Sequence, residues 1–239
     1  GGIPLMSNLS IKRENDRIFK EGSFPDMLTL YHPTAPEMPE ISRSPFSVKE
    51  HLVQTDTISA VLMHRDKKCI ALNFANANCP GGAYILGGNA QEEALCRSSL
   101  LYYTIRTATD YYIHNQLHVL PNYTDGIMIS RNVPVIRDAA GTLLETPVTA
   151  GFITSPAVNR YFARLMFSRK KLDETMERRI GGIIRLAAKE HPEVLILGAY
   201  GCGQFGNKRA DVYPMFERAI TRYLPEDVEV VFADPHKGS

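Results

Sequence analysis

The chain reads as an α/β layered protein, and three of its segments predict that class. Near the C-terminal end, VLILGAY at 194–200 is a short apolar run bounded by glycine, as expected of a strand covered on both faces, and VEVVFA at 228–233 supplies a second. Between them Val212, Met215, Phe216, Ile220 and Tyr223 recur at helical spacing, which predicts a helix over about 210–223 and makes the whole a βαβ unit with parallel strands. Before it, Leu172, Met176, Ile180, Ile183, Ile184 and Ala187 mark a covering helix over 171–191, despite Gly181 and Gly182.

The remaining elements follow in chain order. Pro25, Pro33, Pro36, Pro39 and Pro45 stand too close together for an uninterrupted helix, so the N-terminal region is expected to wrap the core as an arm. Residues 1–6, with two glycines ahead of Met6, read as a tail left from cloning, and residues 7–239 as one domain. CIAL at 69–72 is a buried strand candidate. Helical periodicity resumes at Ala90, with one helix expected over 91–106 and another over 110–117. The turn-rich stretch 121–147 is expected to run as strands and loop around VPVI.

Composition narrows the function. At 239 residues and 44% apolar, the chain can form one sizeable core. A net charge of +1 gives no basic field for nonspecific nucleic-acid or membrane binding, so a polyanionic partner must be held by local contacts in a pocket. Cysteines at 69, 79, 96 and 202 form no CxxC pair, and neither they nor the seven histidines show a metal-ligand spacing; free thiols in a reducing compartment are expected. No apolar run approaches the roughly 20 residues that span a bilayer, and the N-terminus lacks a signal-peptide pattern, so the expected location is cytoplasmic.

The segment from Asn73 to Ser99, NFANANCPGGAYILGGNAQEEALCRSS, concentrates the chemistry. It is a strand–loop–helix passage in which Gly81, Gly82, Gly87 and Gly88 let backbone N–H groups approach a ligand, and the helix start that follows suits phosphate oxygens. Glu92 and Glu93 fall in the first turn of that helix. Acidic residues there can simply complement the macrodipole, and the glycine pattern is neither GxGxxG nor GxxxxGK[ST], so spacing alone leaves the function open.

These residues resemble the microbial-type poly(ADP-ribose) glycohydrolases, macrodomain proteins marked by three glycines, seven intervening residues and Gln-Glu-Glu. Here the register is Gly81, Gly82, Ala83, seven residues, then Gln91, Glu92 and Glu93. The resemblance continues through VQTDT at 53–57, YTD at 123–125, VPVIRD at 133–138, ITSPAVN at 153–159 and LGAYGCGQFGN at 197–207. It implies a macrodomain-like three-layer α/β/α sandwich with a mixed central sheet and an irregular or helical N-terminal arm. It also implies cleavage of the ribose–ribose bonds of poly(ADP-ribose), without a cofactor or metal, with Glu93 as general acid/base and Glu92 as its hydrogen-bonding neighbour. Asn73 and Asn76 would orient the ribose. Pro80, Gly81, Gly82 and Ala83 would pass close to the diphosphate, and Gly201, Cys202, Gly203, Gln204, Phe205, Gly206 and Asn207 would close over it, with Phe205 packed on the ribose. The VPVI block would lie near the ligand.

The same chemistry raises the expectation that one of two adjacent carboxylates near phosphate has its pKa lifted by like-charge repulsion. Three departures from the family pattern cluster at the ligand: Ala83 in place of the third glycine, Asn78-Cys79 where a basic residue and an asparagine are expected, and Gln204 in place of a small residue. Ala83 is expected to add a methyl group at a close approach and to resist positive φ. Expected partners are ADP-ribose and poly- or mono-ADP-ribosylated macromolecules. Three other readings of the same pocket remain: hydrolysis of a single ADP-ribose from protein or nucleic acid, action on acylated ADP-ribose, and binding of ADP-ribose without cleavage.

Overall fold

One mixed sheet organises the chain in the computed structural model, which describes residues 7–236; the expected tail at residues 1–6 lies outside them. Its strands are β1 (Leu28–His32), β2 (Leu52–Val53), β3 (Cys69–Phe74), β4 (Ile127–Arg137), β5 (Leu143–Ser155), β6 (Val194–Leu197) and β7 (Glu229–Ala233), in the order β1-β4-β5-β3-β6-β7-β2. From β5 to β2 each neighbouring pair is parallel, whereas β4 and β1 are added antiparallel at one edge. The C-terminal pair is parallel as the βαβ reading requires.

Alternation along the strands sends side chains to two helical layers. Ile70 and Leu72 of β3, with Leu195 and Leu197 of β6, face the helices α7 (Arg169–Glu190) and α8 (Arg209–Tyr223). Cys69 and Ala71, with Val194 and Ile196, face α2 (Thr57–Met63), α3 (Gln91–Ser98), α4 (Leu101–Ile105) and α5 (Thr109–Leu117). The short α6 (Arg160–Ala163) follows β5. In α8, Val212, Met215, Phe216, Ala219 and Ile220 are buried, the stripe its sequence predicts. In α7, a Cβ on Gly182 would lie 3.0 Å from the Cβ of Ala35, so this glycine lets the N-terminal arm cross close to the helix. Among the described residues no helix is long and apolar enough to cross a membrane.

Two expectations change, the single helix over 91–106 and the placing of VPVI near the ligand. The helix expected over 91–106 is two helices, because Leu100 donates its N–H to Pro134 O and the Ser99 hydroxyl turns back onto Leu95 O at 2.7 Å and accepts from the Leu101 N–H. A serine side chain that competes with the ladder in this way favours a break. The stretch around VPVI forms two of the longest strands, and Val133 and Val135 are core residues; only the following turn, Ala139 to Gly141, reaches the cleft described below. The N-terminal arm is helical and irregular by turns, as expected: it begins as helix α1 (Asn8–Glu21), capped by Ser7 Oγ accepting from the Ser10 N–H, and contributes edge strand β1 before the proline-rich part runs irregularly.

Helix α1 is fastened to the centre of the protein by Asn15, which is fully buried. Its Nδ2 donates to Arg97 O at 2.9 Å and to the Tyr84 hydroxyl at 3.3 Å, while its Oδ1 accepts from Nε of the buried Arg137 at 3.0 Å. Arg137 also donates to Gly141 O and pairs with Glu14 at 2.8 Å. One amide thus joins α1, the catalytic-loop candidate, α3 and β4. Asn15→Ala leaves a buried guanidinium short of an acceptor and is expected to lower stability by about 1–3 kcal/mol. Urea unfolding checks this; an unchanged midpoint would contradict the role given to Asn15.

Candidate active site

The site begins where β3 ends. Gln91, the first residue of α3, accepts the Phe74 N–H through Oε1 at 2.9 Å and donates through Nε2 to Leu72 O at 2.9 Å and Thr57 Oγ1 at 3.1 Å, tying the helix start to the strand end. Glu92 repeats the tie one residue on. Its Oε1 accepts the Asn76 N–H at 2.8 Å and its Oε2 accepts from Asn73 Nδ2 at 2.9 Å. No side chain caps α3 at Ala90, so the helix start is left to the loop and the cleft.

Glu92 is 1% exposed, and burial pushes its carboxyl up to about 8. The two hydrogen bonds favour the charged form and oppose the shift, and the Glu93 charge adds a smaller upward push. The lifted carboxylate is therefore Glu92, and its cause is desolvation first and like-charge repulsion last. Glu93, 8% exposed, lies beside it against the glycines. A Cβ on Gly82 would sit 3.1 Å from Glu93 Oε2 and 3.3 Å from Glu92 Oε1, and one on Gly88 only 2.6 Å from Glu93 Oε1. Both carboxylates thus converge on Gly82. Arg97, one turn after Glu93, donates to Gly88 O and closes the loop from behind.

Positive φ falls on Gly81 (70°) and Gly82 (57°), but Ala83 has φ −92°. The third position of the glycine run does not use the left-handed region, so the strain expected there does not arise; the room for the Ala83 methyl comes from Gly88, whose own Cβ would lie 2.9 Å from it. The second loop is held from within. Gly201 adopts φ 72°, and a Cβ there would lie 2.5 Å from that of Ala157. Asn207 Nδ2 donates to Gly201 O at 3.0 Å and Val158 O at 2.8 Å.

The two loops face each other across a cleft of about 1280 Å³. Asn76, Gly82, Ala83, Gln91, Glu92, Glu93, Gly201, Cys202, Gly203, Gln204 and Phe205 line it. Asn73, Pro80, Gly81, Gly206 and Asn207 do not. Asn73 is fully buried, bonded to Glu92 and to Thr154 Oγ1 at 3.1 Å with its Oδ1 unpartnered, so it holds the carboxylate rather than facing a ribose. The Asn76 Oδ1 accepts the N–H groups of Asn78 and Cys79 and shapes the loop. Gly81 packs towards Tyr102 and Cys96, and Asn207 braces the second loop. The Cys202 thiol is pushed up to about 12 by burial, which leaves it a poor nucleophile.

Residues not singled out in the sequence complete the far end. Asp234 follows β7 directly, and its carboxylate takes a two-pronged bond from Arg209 (2.7 and 3.0 Å) and one from the Tyr213 hydroxyl at 2.5 Å; desolvation raises its pKa, but these bonds outweigh it and hold the carboxyl below its ordinary value. Arg209 and Asp234 line the cleft with Asp56 and Thr57. The available signal was position: a charged residue at the carboxyl end of a parallel strand stands where open α/β sheets bind ligands. Among the described residues no three His, Cys, Asp or Glu side chains gather as a metal site.

The lifted Glu92 makes stability depend on pH. Its folded pKa of about 8 lies above the ordinary 4.5, so its contribution is fully present below about 4.5 and is lost as pH rises towards 8. Urea unfolding from pH 5 to 8 is expected to show a declining stability, up to about 1.4 kcal/mol per pH unit for one proton. Glu92→Gln should flatten that decline; an equal slope in the variant would contradict the assignment.

Comparison with known proteins identifies the chain's relatives. The model of the family "Microbial-type PARG, catalytic domain" matches residues 7–138. The poly(ADP-ribose) glycohydrolase of Thermomonospora curvata bound to the inhibitor ADP-HPD is similar at 27% identity, with TM-score 0.80, over 97% of this chain and 94% of that one. The poly(ADP-ribose) glycohydrolase of Deinococcus radiodurans in complex with ADP-ribose is similar at 35% identity, with TM-score 0.72, over 79% of this chain and 78% of that one. No curated protein matches the chain. With the family model matched over more than half of its residues and 35% identity to the D. radiodurans protein over 79% of its length, this chain belongs to the microbial-type poly(ADP-ribose) glycohydrolase family.

Proposed function

We propose that the chain hydrolyses the O-glycosidic ribose–ribose bonds of poly(ADP-ribose) and releases ADP-ribose, with residues 7–239 acting as one domain. The observation that carries this reading is the convergence of Glu92 and Glu93 on Gly82 inside the cleft between the two loops. The D. radiodurans relative in complex with ADP-ribose and the T. curvata relative bound to ADP-HPD support ADP-ribose as the ligand. The backbone at Gly82 and Ala83 and the loop from Gly201 to Phe205 hold the diphosphate, and Phe205 packs on the ribose. Four free thiols, Cys69 and Cys96 among them buried, suit a reducing, cytoplasmic setting.

Cleavage needs a proton on the leaving oxygen while positive charge grows on the anomeric carbon. Glu93 supplies that proton and then takes one from water as it adds to the carbon. Glu92 stands behind as the fixed partner: its bonds to Asn73 and to the Asn76 backbone set the first turn of α3 and so the reach of Glu93. Gly82 and Gly88 leave the space in which the Glu93 carboxylate meets the substrate. The hydrolysis of a mono-ADP-ribosyl linkage would use the same groups, and binding without cleavage would leave the acid without a task.

Glu93→Gln is expected to reduce release of free ADP-ribose from the polymer by at least about 100-fold while leaving the affinity for ADP-ribose within about threefold. A loss below tenfold would reject Glu93 as the acid. Tight binding of ADP-ribose with no release by the wild-type chain would make the protein a reader.

A further inference from the structure

We infer that a second cleft, next along the sheet edge from the first, receives the adenosine on the leaving side of the scissile bond. The inference rests on the glycohydrolase reading above. The first cleft crosses the carboxyl ends of β7 at Asp234, β6 at Ala199 and β3 at Phe74 to Asn76. The next strand in the sheet is β5, which leads into Asn159, and beyond it antiparallel β4 enters from the same end after Tyr123. Over those ends lies a cleft of about 640 Å³, a size that suits a nucleoside. The two clefts meet at Phe205, whose ring centroid is 6.1 Å from that of Tyr123 and whose carbonyl accepts the Tyr161 N–H at 3.1 Å. They also share one loop, since Asn76 lines the first and Asn78 the second.

The lining fits a base. It offers the amides of Asn78, Gln116 and Asn159 and the rings of His118, Tyr123 and Phe162, and none of its side chains is Asp, Glu, Lys or Arg. Asn159 Oδ1 is buried without a partner, an acceptor suited to the exocyclic amine of adenine. Phe162 is 55% exposed beside Leu165 and Met166, and an aromatic face of this kind stacks on a base whatever its sequence context. The wall is built in advance. Arg179, itself buried, donates to Pro156 O at 2.8 Å and Asn122 O at 2.7 Å, Asn159 N–H bonds to Pro121 O, and Asn115 Oδ1 accepts the Thr124 N–H at 2.9 Å.

The chemistry of the polymer places a base there. When the bond from the anomeric carbon to oxygen breaks, that oxygen belongs to the ribose of the next adenosine and takes the proton from Glu93, while water oxygen bonds to the carbon. A base therefore lies one sugar from the reacting atom on the leaving side. A single ADP-ribose on a protein brings no such base, so this cleft favours polymer over mono-modified acceptors.

The test compares Phe162→Ala and Phe162→Trp with the wild-type chain, using poly(ADP-ribose) as substrate and free ADP-ribose as competitive inhibitor. Phe162→Ala should raise KM for the polymer about tenfold, the scale of one base–aromatic stack, leave kcat and the inhibition constant of ADP-ribose unchanged, and be rescued by tryptophan. An unchanged KM in a wild-type background that does release ADP-ribose overturns this inference alone, as does an equal rise in KM and in the ADP-ribose inhibition constant. Failure of the wild-type chain to release ADP-ribose overturns the glycohydrolase reading and this inference with it.

Discussion

The site depends on a carboxylate that is removed from water and held by two donors. Glu92 accepts the backbone N–H of Asn76 and the amide of Asn73, one on each oxygen, at the junction of strand and helix. A buried polar group is costly unless its hydrogen bonds are made, so these two contacts fix where α3 may start relative to β3. Gln91 adds its own bonds to Leu72 and Phe74 and leaves the first turn little freedom to rotate. Glu93 then points where the glycines make room. The placing of the glutamate pair is a consequence of side-chain hydrogen bonds made at a strand end, most of them to backbone groups, rather than of packing in the cleft.

That anchor also accounts for the division of labour proposed for the two glutamates. Burial makes Glu92 hold its proton to higher pH than an ordinary carboxylate, and its fixed bonds suit a positioning role. Glu93 lacks those bonds and faces the loop, which suits a group that must exchange a proton with substrate and water. On the opposite wall Asn207 and Arg160 keep the Gly201–Gly206 turn in shape, while α1 braces the first loop through Asn15 and Tyr84. Both loops are supported by groups behind them, so little ordering is left for ligand binding to supply.

Much of this was legible in the sequence. Periodicity places α7, α8 and β7 to within two residues at each end, because each carries a dense apolar stripe or run, whereas the strand expected over 194–200 starts at Val194 but ends at Leu197, before the glycine-rich turn that borders the cleft. The Gln91-Glu92-Glu93 run and the two glycine loops drew attention to the segments that come together in the cleft. The break at Ser99 was hidden because it depends on Pro134, 35 residues away, accepting a backbone bond. Asn73 and Asn207 looked like ligand contacts because an amide serves loops and ligands equally well; only burial distinguishes the two uses. Arg209 and Asp234 escaped notice because a salt bridge spanning 25 residues has no local signature.

The structure of Glu93→Gln crystallised with ADP-ribose tests the account most directly. The account predicts the distal ribose with its anomeric carbon beside residue 93 and Gly82, and the diphosphate between the Gly82–Ala83 backbone and the Gly201–Phe205 loop. ADP-ribose bound with its distal ribose away from the glutamate pair would contradict it.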